Sequence, residues 1–247
     1  MNSKQEKSGN MFSRIYNIYK QEGLSSLMSS IADYIWYNLI CSIRDVVFSV
    51  ADKYKLVNAD TIYKNKYYEK RKRDPWRSES NHIGEILYQR YKPESVIDFG
   101  CAIGTHLEPF YIKGVSIKGI EGNKYAIENS VVPSRYLVQH DLREPFVSSG
   151  YYDLALSIEV AEHIPEEFAD VYVDTVCDAA ERIVMTAAPP GQGGTHHVNE
   201  QTQEYWIQKF ENRGFRFEQN ETEEVASLFD VDNSIWVKNN LLIFERE

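Results

Sequence analysis

From Met11 to Val50, apolar residues return at helical intervals. Leu24, Leu27, Ile31, Ile35, Leu39, Ile43, Val47 and Val50 form one stripe, and Ser25, Ser29, Asp33, Arg44 and Asp45 fall mostly off it. The spacing predicts an amphipathic helix or helix pair. Asp33, Arg44 and Asp45 interrupt it, so the roughly 20 uninterrupted apolar residues of a membrane span are not present. Two uses of the stripe stay open. It can pack on the chain's own core or on a second subunit, giving a dimer. It can also lie in a membrane interface, which Tyr34, Trp36, Tyr37 and flanking lysines would suit. Next, Lys64–Arg77 (KNKYYEKRKRDPWR) reads as a basic, aromatic helix ending before Pro75, and Asn81–Tyr91 as another with Pro93 at its exit.

From Ser95 the pattern alternates between short apolar runs and helical stretches. Strands are predicted at Ser95–Asp98, Val115–Glu121, Tyr136–Asp141, Tyr152–Ser157, Arg182–Ala187, Phe215–Glu218 and Asn240–Glu245. Helices are predicted at Thr105–Ile112, from Asn123, at Glu166–Ala179 and at Gln203–Arg213, with Glu221–Asp232 a helix or loop. This alternation predicts an α/β fold: a doubly wound, seven-stranded, mostly parallel sheet behind an N-terminal helical extension. We place the extension at 1–75 and the sheet domain at 76–247. Such sheets bind ligands at the carboxyl ends of their strands, which makes the residues closing each strand the ones to inspect.

The 247 residues suffice for one such domain plus an appendage. Cys41, Cys101 and Cys177 lie far apart without a CxxC pair, so neither a disulfide framework nor a zinc site is suggested. The first ten residues are polar and mixed in charge, with no visible signal peptide. A reducing, cytoplasmic setting is expected, peripheral to a membrane if the N-terminal stripe is used that way. Charge divides unevenly. Residues 1–73 carry 13 Lys/Arg against 7 Asp/Glu, and the remainder 14 against 30. An acidic sheet domain argues against a nucleic-acid partner, whereas the basic front end suits an anionic surface.

The stretch Ser95–Gly104, SVIDFGCAIG, carries the first chemistry. An apolar run meets Asp98, and small residues then fall at alternate positions: Gly100, Ala102, Gly104. A turn whose backbone must approach a ligand closely needs that composition. A dinucleotide site would want G-x-G-x-x-G, but Thr105 stands where its last glycine would fall. Glu121 closes the second strand, where an acid would accept two ribose hydroxyls, and Asp141 closes the third, where a carboxylate can meet an adenine amino group beside Leu142.

The loop, with an acid ending each following strand, resembles motif I and its partners in class I S-adenosylmethionine-dependent methyltransferases. The resemblance runs from about Ser95 to the C-terminus and departs from the pattern at Ala102, where a middle glycine is usual. It implies a Rossmann-like methyltransferase with S-adenosylmethionine as cofactor. The implied cofactor contacts are Asp98, Gly100, Cys101, Ala102, Gly104, Glu121, Gly122, Asp141, Leu142 and Ser157. Tyr68 and Trp76, preceding the loop, are possible covers for the cofactor.

Beyond the fourth strand comes SIEVAEHIP, where Glu159, Glu162 and His163 would share one face of a helical turn. The loop after the fifth strand carries GGTHHVN, with His196 and His197. Two carboxylates and one or two imidazoles converging there would make a divalent-metal site of mixed O/N ligation. E-x-x-E-H with a later His resembles ubiquinone-biosynthesis O-methyltransferases, whose similar G-T-H run His196 would match. It also resembles small-RNA 2′-O-methyltransferases, which hold Mg²⁺ or Mn²⁺. Carried over, the ligands are Glu159, Glu162, His163 and His196 or His197. In metal-free relatives Glu159 and His163 shape the pocket instead. The expected catalytic set is Glu159, His163, His196 and His197, with a histidine as general base or a metal lowering the acceptor's pKa. Both routes point to oxygen methylation.

Gln192, Asn199, Gln201 and Tyr205 on the substrate-side loop suit a polyhydroxylated ring, while Trp206 continues the apolar face of Ile207 and Phe210 and belongs to the core. The acceptor expected is a sugar of a glycan or lipid-linked saccharide, with a small phenol as alternative and RNA 2′-hydroxyls as a third.

Overall fold

The computed structural model describes residues 50–51 and 54–247. The amphipathic stripe at 11–50 and its Tyr34–Trp36–Tyr37 cluster lie outside the described residues, save for Val50. The chain divides into two units, 1–50 and 51–247, and the second is described here. Among the described residues no helix is long and apolar enough to cross a membrane.

The apolar runs form seven strands: β1 Ser95–Phe99, β2 Ser116–Glu121, β3 Leu137–Gln139, β4 Tyr152–Ile158, β5 Ala180–Thr186, β6 Phe215–Phe217 and β7 Leu241–Arg246. They lie in the order β3-β2-β1-β4-β5-β7-β6, with β7 antiparallel to both of its neighbours. The predicted doubly wound, mostly parallel sheet is therefore present. Its central strands are buried on both faces, as continuous apolar runs in a parallel sheet should be. The chain moves outward from β1 to β2 and β3, then returns to β4 on β1's other side. Connections leave the carboxyl ends of β1 and β4 in opposite directions, which opens a crevice there.

Short helices cover both faces: α1 Ala59–Ile62, α2 Asn65–Arg71, α3 Trp76–Tyr91, α4 Glu108–Ile112, α5 Lys124–Glu128, α6 Ala169–Cys177, α7 Gln203–Glu211, α8 Gln219–Leu228 and α9 Ile235–Asn239. Ile83 and Leu87 of α3 pack with Val225 of α8 and Val237 of α9 against one face. Tyr172 and Val176 of α6 pack with Trp206 and Phe210 of α7 against the other. Phe210 stacks on Phe244 of β7 at 4.5 Å between ring centroids. Trp206 is a core residue, as its helical neighbours implied.

Several element boundaries differ from expectation. The basic helix ends before Pro75 as expected, already at Arg71, but α3 begins at Trp76 rather than Asn81. The helix expected from Thr105 shrinks to α4 with Pro109 in its first turn, since residues 101–107 are used in turns. The strand expected to reach Asp141 stops at Gln139. Asp141 Oδ1 accepts from the Arg143 amide at 3.0 Å, which turns the backbone out of the ladder.

Glu79 fastens α3 to the loop before α9. Its carboxylate accepts from the amides of Asp232 (3.2 Å) and Asn233 (2.9 Å), from Asn233 Nδ2 (2.8 Å) and from the Ser234 hydroxyl. Burial alone would raise this carboxyl, but these donors outweigh it and hold it at about 2. A carboxyl depressed in the fold stabilises above its unfolded pKa and loses that contribution as pH falls toward the folded value. Acid melts from about pH 4.5 down to about pH 2 should therefore be shallower in Glu79→Gln than in the parent; identical acid limbs would contradict this.

Candidate active site

The turn after β1 is shaped by backbone contacts to β2. The amides of Gly100 and Cys101 both donate to Ile120 O, at 2.8 and 3.1 Å. Gly100 has φ +73°, and a Cβ there would stand 2.5 Å from Val160 Cγ2. Ala102 has φ +49° and accepts the strain that a glycine would have avoided. Glu121 braces the turn from below: Oε2 accepts from Ala102 N at 2.8 Å and Oε1 from Asn123 N at 2.7 Å. Burial raises Glu121 above the ordinary carboxyl value, opposed by these amides. Gly100→Ala is expected to lower stability by about 1–3 kcal/mol through combined strain and overpacking. Thermal melts without ligand would measure it, and an unchanged midpoint would show that Val160 yields freely.

Above the turn lies a cleft open on one side. Gly100, Ala102, Glu121, Gly122, Asp141 and Leu142 line it, as do Glu159, His163 and His196. The remaining expected cofactor residues stand behind this wall. Cys101 is buried against Gly119, and Ser157 Oγ bonds the Tyr172 hydroxyl at 2.5 Å. Gly104 turns the chain with φ +78°. Asp98 is 1% exposed, and among the described residues its Oδ2 has no hydrogen-bond partner. Burial, helped by the charge of Glu121, pushes Asp98 well above the usual carboxylate range.

A buried carboxylate oxygen left unpaired is costly, and a bound ammonium would satisfy it. Together with the bare backbone at Gly100 and the acid at Glu121, this donor set fits the methionine and ribose ends of S-adenosylmethionine. Asp141 is held differently from expectation. Arg143 grips it through Nε (3.0 Å) and Nη2 (2.6 Å), and these bonds outweigh burial to keep it below the ordinary Asp value.

The sequence reading missed one wall of the cleft. Residues 58–68 cross it as a strap, with Asn58, Tyr63, Tyr67 and Tyr68 facing the space. Tyr68 was anticipated as a cover. Trp76 was too, but it pairs with Trp236 at 6.0 Å and lies outside the lining. The strap is tied down by Asn123 Nδ2 to Ala59 O (3.0 Å), Lys124 N to Asp60 Oδ1 (2.7 Å) and Arg143 Nη2 to Val57 O (2.8 Å). The i,i+4 spacing of Tyr63 and Tyr67 was the available signal, and the surrounding lysines masked it.

At the far end, Glu159 leaves β4 with φ +57°, so the single helical face expected for Glu159, Glu162 and His163 does not form. Only Ala161–His163 makes a short 3-10 turn. Thr186 Oγ1 donates to Glu159 Oε1 at 2.8 Å, and Gln192 Nε2 reaches Oε2 at 3.4 Å. Glu162 is fully buried, and among the described residues its carboxylate finds no well-formed hydrogen bond. Burial, reinforced by the Glu159 carboxylate, raises it well above the ordinary value. Its backbone carbonyl accepts from Val198 and Asn199, each at 3.0 Å, and so docks the following loop.

His163 Nδ1 bonds His196 O at 2.9 Å, and since a carbonyl only accepts, Nδ1 carries the proton and Nε2 the lone pair. Burial pulls His163 down to about 3, so its ring is neutral. Glu162, His163 and His197 each place a ligand atom within 4.8 Å of the others. His197, not His196, is thus the imidazole that joins Glu162 and His163, while His196 lines the cleft. On the loop, Gln201 Nε2 donates to Asn199 Oδ1 at 2.9 Å and Asn240 Nδ2 to Gln192 Oε1 at 2.8 Å, so these amides first hold the loop itself.

A family model described as a methyltransferase domain matches residues 68–222. The chain belongs to this methyltransferase-domain family and is an S-adenosylmethionine-dependent class I methyltransferase. Among solved structures it is similar to CalS10 from Micromonospora echinaspora, an amino pentose methyltransferase with bound SAM. That match has a TM-score of 0.56 at 14% identity over 75% of this chain and 98% of that one. DesVI from Streptomyces venezuelae matches with a TM-score of 0.55 at 15% identity, over 74% and 96% of the two chains. Magnesium protoporphyrin IX methyltransferase (ChlM) from Synechocystis PCC 6803, with bound SAH, gives 0.52 at 14% identity, over 69% and 84%. These likenesses are of fold. No curated protein matches by sequence.

Proposed function

We propose that the chain transfers the methyl group of S-adenosylmethionine to a hydroxyl oxygen of a small molecule, a sugar of a glycan or of a lipid-linked saccharide. The observation that carries this reading is the cluster at the far end of the cleft. A neutral imidazole with its lone pair on Nε2 sits beside a buried carboxyl and a second imidazole. An amine or thiolate acceptor would need such help less, whereas an alcohol must lose a proton as it attacks.

The cofactor supplies the electrophilic methyl group. Asp98 would bind its ammonium, Gly100 and Ala102 its close-approaching main chain, Glu121 the ribose hydroxyls, and Asp141 with Leu142 the adenine. His163 Nε2 would take the acceptor's proton, and the strap from Asn58 to Tyr68 would exclude water and align the acceptor. Tyrosine rings bearing hydroxyls suit the flat faces and hydroxyls of a sugar, and CalS10 is itself a methyltransferase of an amino pentose.

One further reading has its own support. Glu162, His163 and His197 form a mixed O/N set that would hold Mg²⁺ or Mn²⁺, which would lower the acceptor's pKa. Transfer of labelled methyl groups to glycans, lipid-linked sugars, phenols and RNA, with and without chelator, tests both. Label in saccharides is the expected result. Label confined to phenols or RNA would replace the acceptor class, and loss of transfer on chelation would establish the metal.

A further inference from the structure

Glu200 has no part in the chemistry set out above, yet its carboxylate takes three contacts in the loop that carries His197. Oε1 accepts from His197 Nδ1 at 2.9 Å and from Gly193 N at 2.6 Å, and Oε2 accepts from Gly191 N at 2.7 Å. The two backbone N–H groups favour an ionised carboxylate, which can only accept. The proton therefore sits on His197 Nδ1, and Nε2 carries the lone pair. That nitrogen lies 4.0 Å from Glu162 Oε1, and the His197 ring is 4.9 Å from the His163 ring.

The opposite side of the ring is shaped to match. His197 lies over Gly194, where an added Cβ would stand 2.1 Å from Nε2. Glu200 thus grips the ring from behind while Gly194 leaves room in front. His163 is arranged the same way, its Nδ1 tied to a carbonyl and its Nε2 left as the acceptor. Two imidazoles, each anchored through Nδ1 and clustered with one buried acid, form a preset pair. An anchored outer nitrogen is also how ligating or base histidines are held in register.

We propose that Glu200 is a positioning residue that fixes His197 in its Nδ1–H tautomer, turning Nε2 toward Glu162 and His163, and that clamps the 191–193 loop in the same grip. This deepens the methyl-transfer reading and rests on it only for its kinetic arm.

Imidazole ¹⁵N spectra of the full chain, taken above the ordinary imidazole pKa, read the tautomer without any acceptor. In the parent, His197 should show a protonated Nδ1 and an unprotonated Nε2. Glu200→Ala should lose that preference, and Glu200→Gln, which keeps an acceptor oxygen, should retain it. An Nε2–H tautomer or an imidazolium in the parent, or a parent spectrum in Glu200→Ala, overturns the proposal.

In methyl-transfer assays, Glu200→Ala should lower kcat by about 10–100-fold with KM for the cofactor little changed. Glu200→Gln should recover most of the loss, and adding Glu200→Ala to His197→Ala should cost no more. Additive losses would overturn the route through His197. Correct spectra with no transfer to any acceptor would leave the positioning role standing and overturn the methyl-transfer reading instead.

Discussion

Asp98→Ala is expected to weaken S-adenosylmethionine binding by about 100-fold or more while leaving the ligand-free protein at least as heat-stable as the parent. The two halves have one cause. In the fold, Asp98 is a buried carboxyl with an unpaired oxygen, raised by burial and by Glu121. An orphaned buried polar group costs about 1–3 kcal/mol, so its removal relieves the free protein and offsets the small cavity left behind. Pairing a buried charge with a ligand's ammonium is worth about 2–5 kcal/mol, which sets the expected loss of affinity.

Binding should also be linked to pH. Because the free carboxyl is raised and an ammonium needs it ionised, affinity should climb as pH rises through its titration and be flat in Asp98→Ala. Titration calorimetry together with melts of the free protein measures all three. Undiminished affinity, or a free protein melting several degrees lower, would contradict the assignment.

His163→Ala should cut turnover by about 10²–10⁴-fold, the range of general-base contributions, while cofactor affinity stays within about twofold. The separation follows from placement. His163 lines the end of the cleft assigned above to the acceptor, and its Nδ1 bonds His196 O. Its ring meets Tyr63 edge-on at 5.8 Å, so the lost ring also slackens the strap over the acceptor. His163→Asn, which can still donate to His196 O but offers no basic nitrogen, separates the two effects. If proton removal is the ring's work, Asn is as slow as Ala. If bracing is, Asn recovers most of the rate.

That Gly100, Glu121 and Asp141 meet at one cleft was legible in the sequence because the signals are local. An apolar run, a stretch of small residues and an acid at or just past a strand's end follow one another in the chain. What escaped depends on contacts that no local pattern writes down. Arg143 grips Asp141 only because the chain turns at that point. Tyr63 and Tyr67 reach the cleft through bonds from Asn123, Lys124 and Arg143, far along the chain. His196 and His197 are neighbours of the same type, and the positive φ of 63° at His196 decides which ring meets Glu162. Glu159 leaves the helical turn expected of it for the same kind of reason.

Arg143 joins the strap to the floor of the cleft. One guanidinium holds both the acid expected at the adenine and the main chain of Val57, where the strap begins. With the adenine on Asp141 as proposed, nucleoside binding and fastening of the strap would be reciprocal, each strengthening the other by the same free energy.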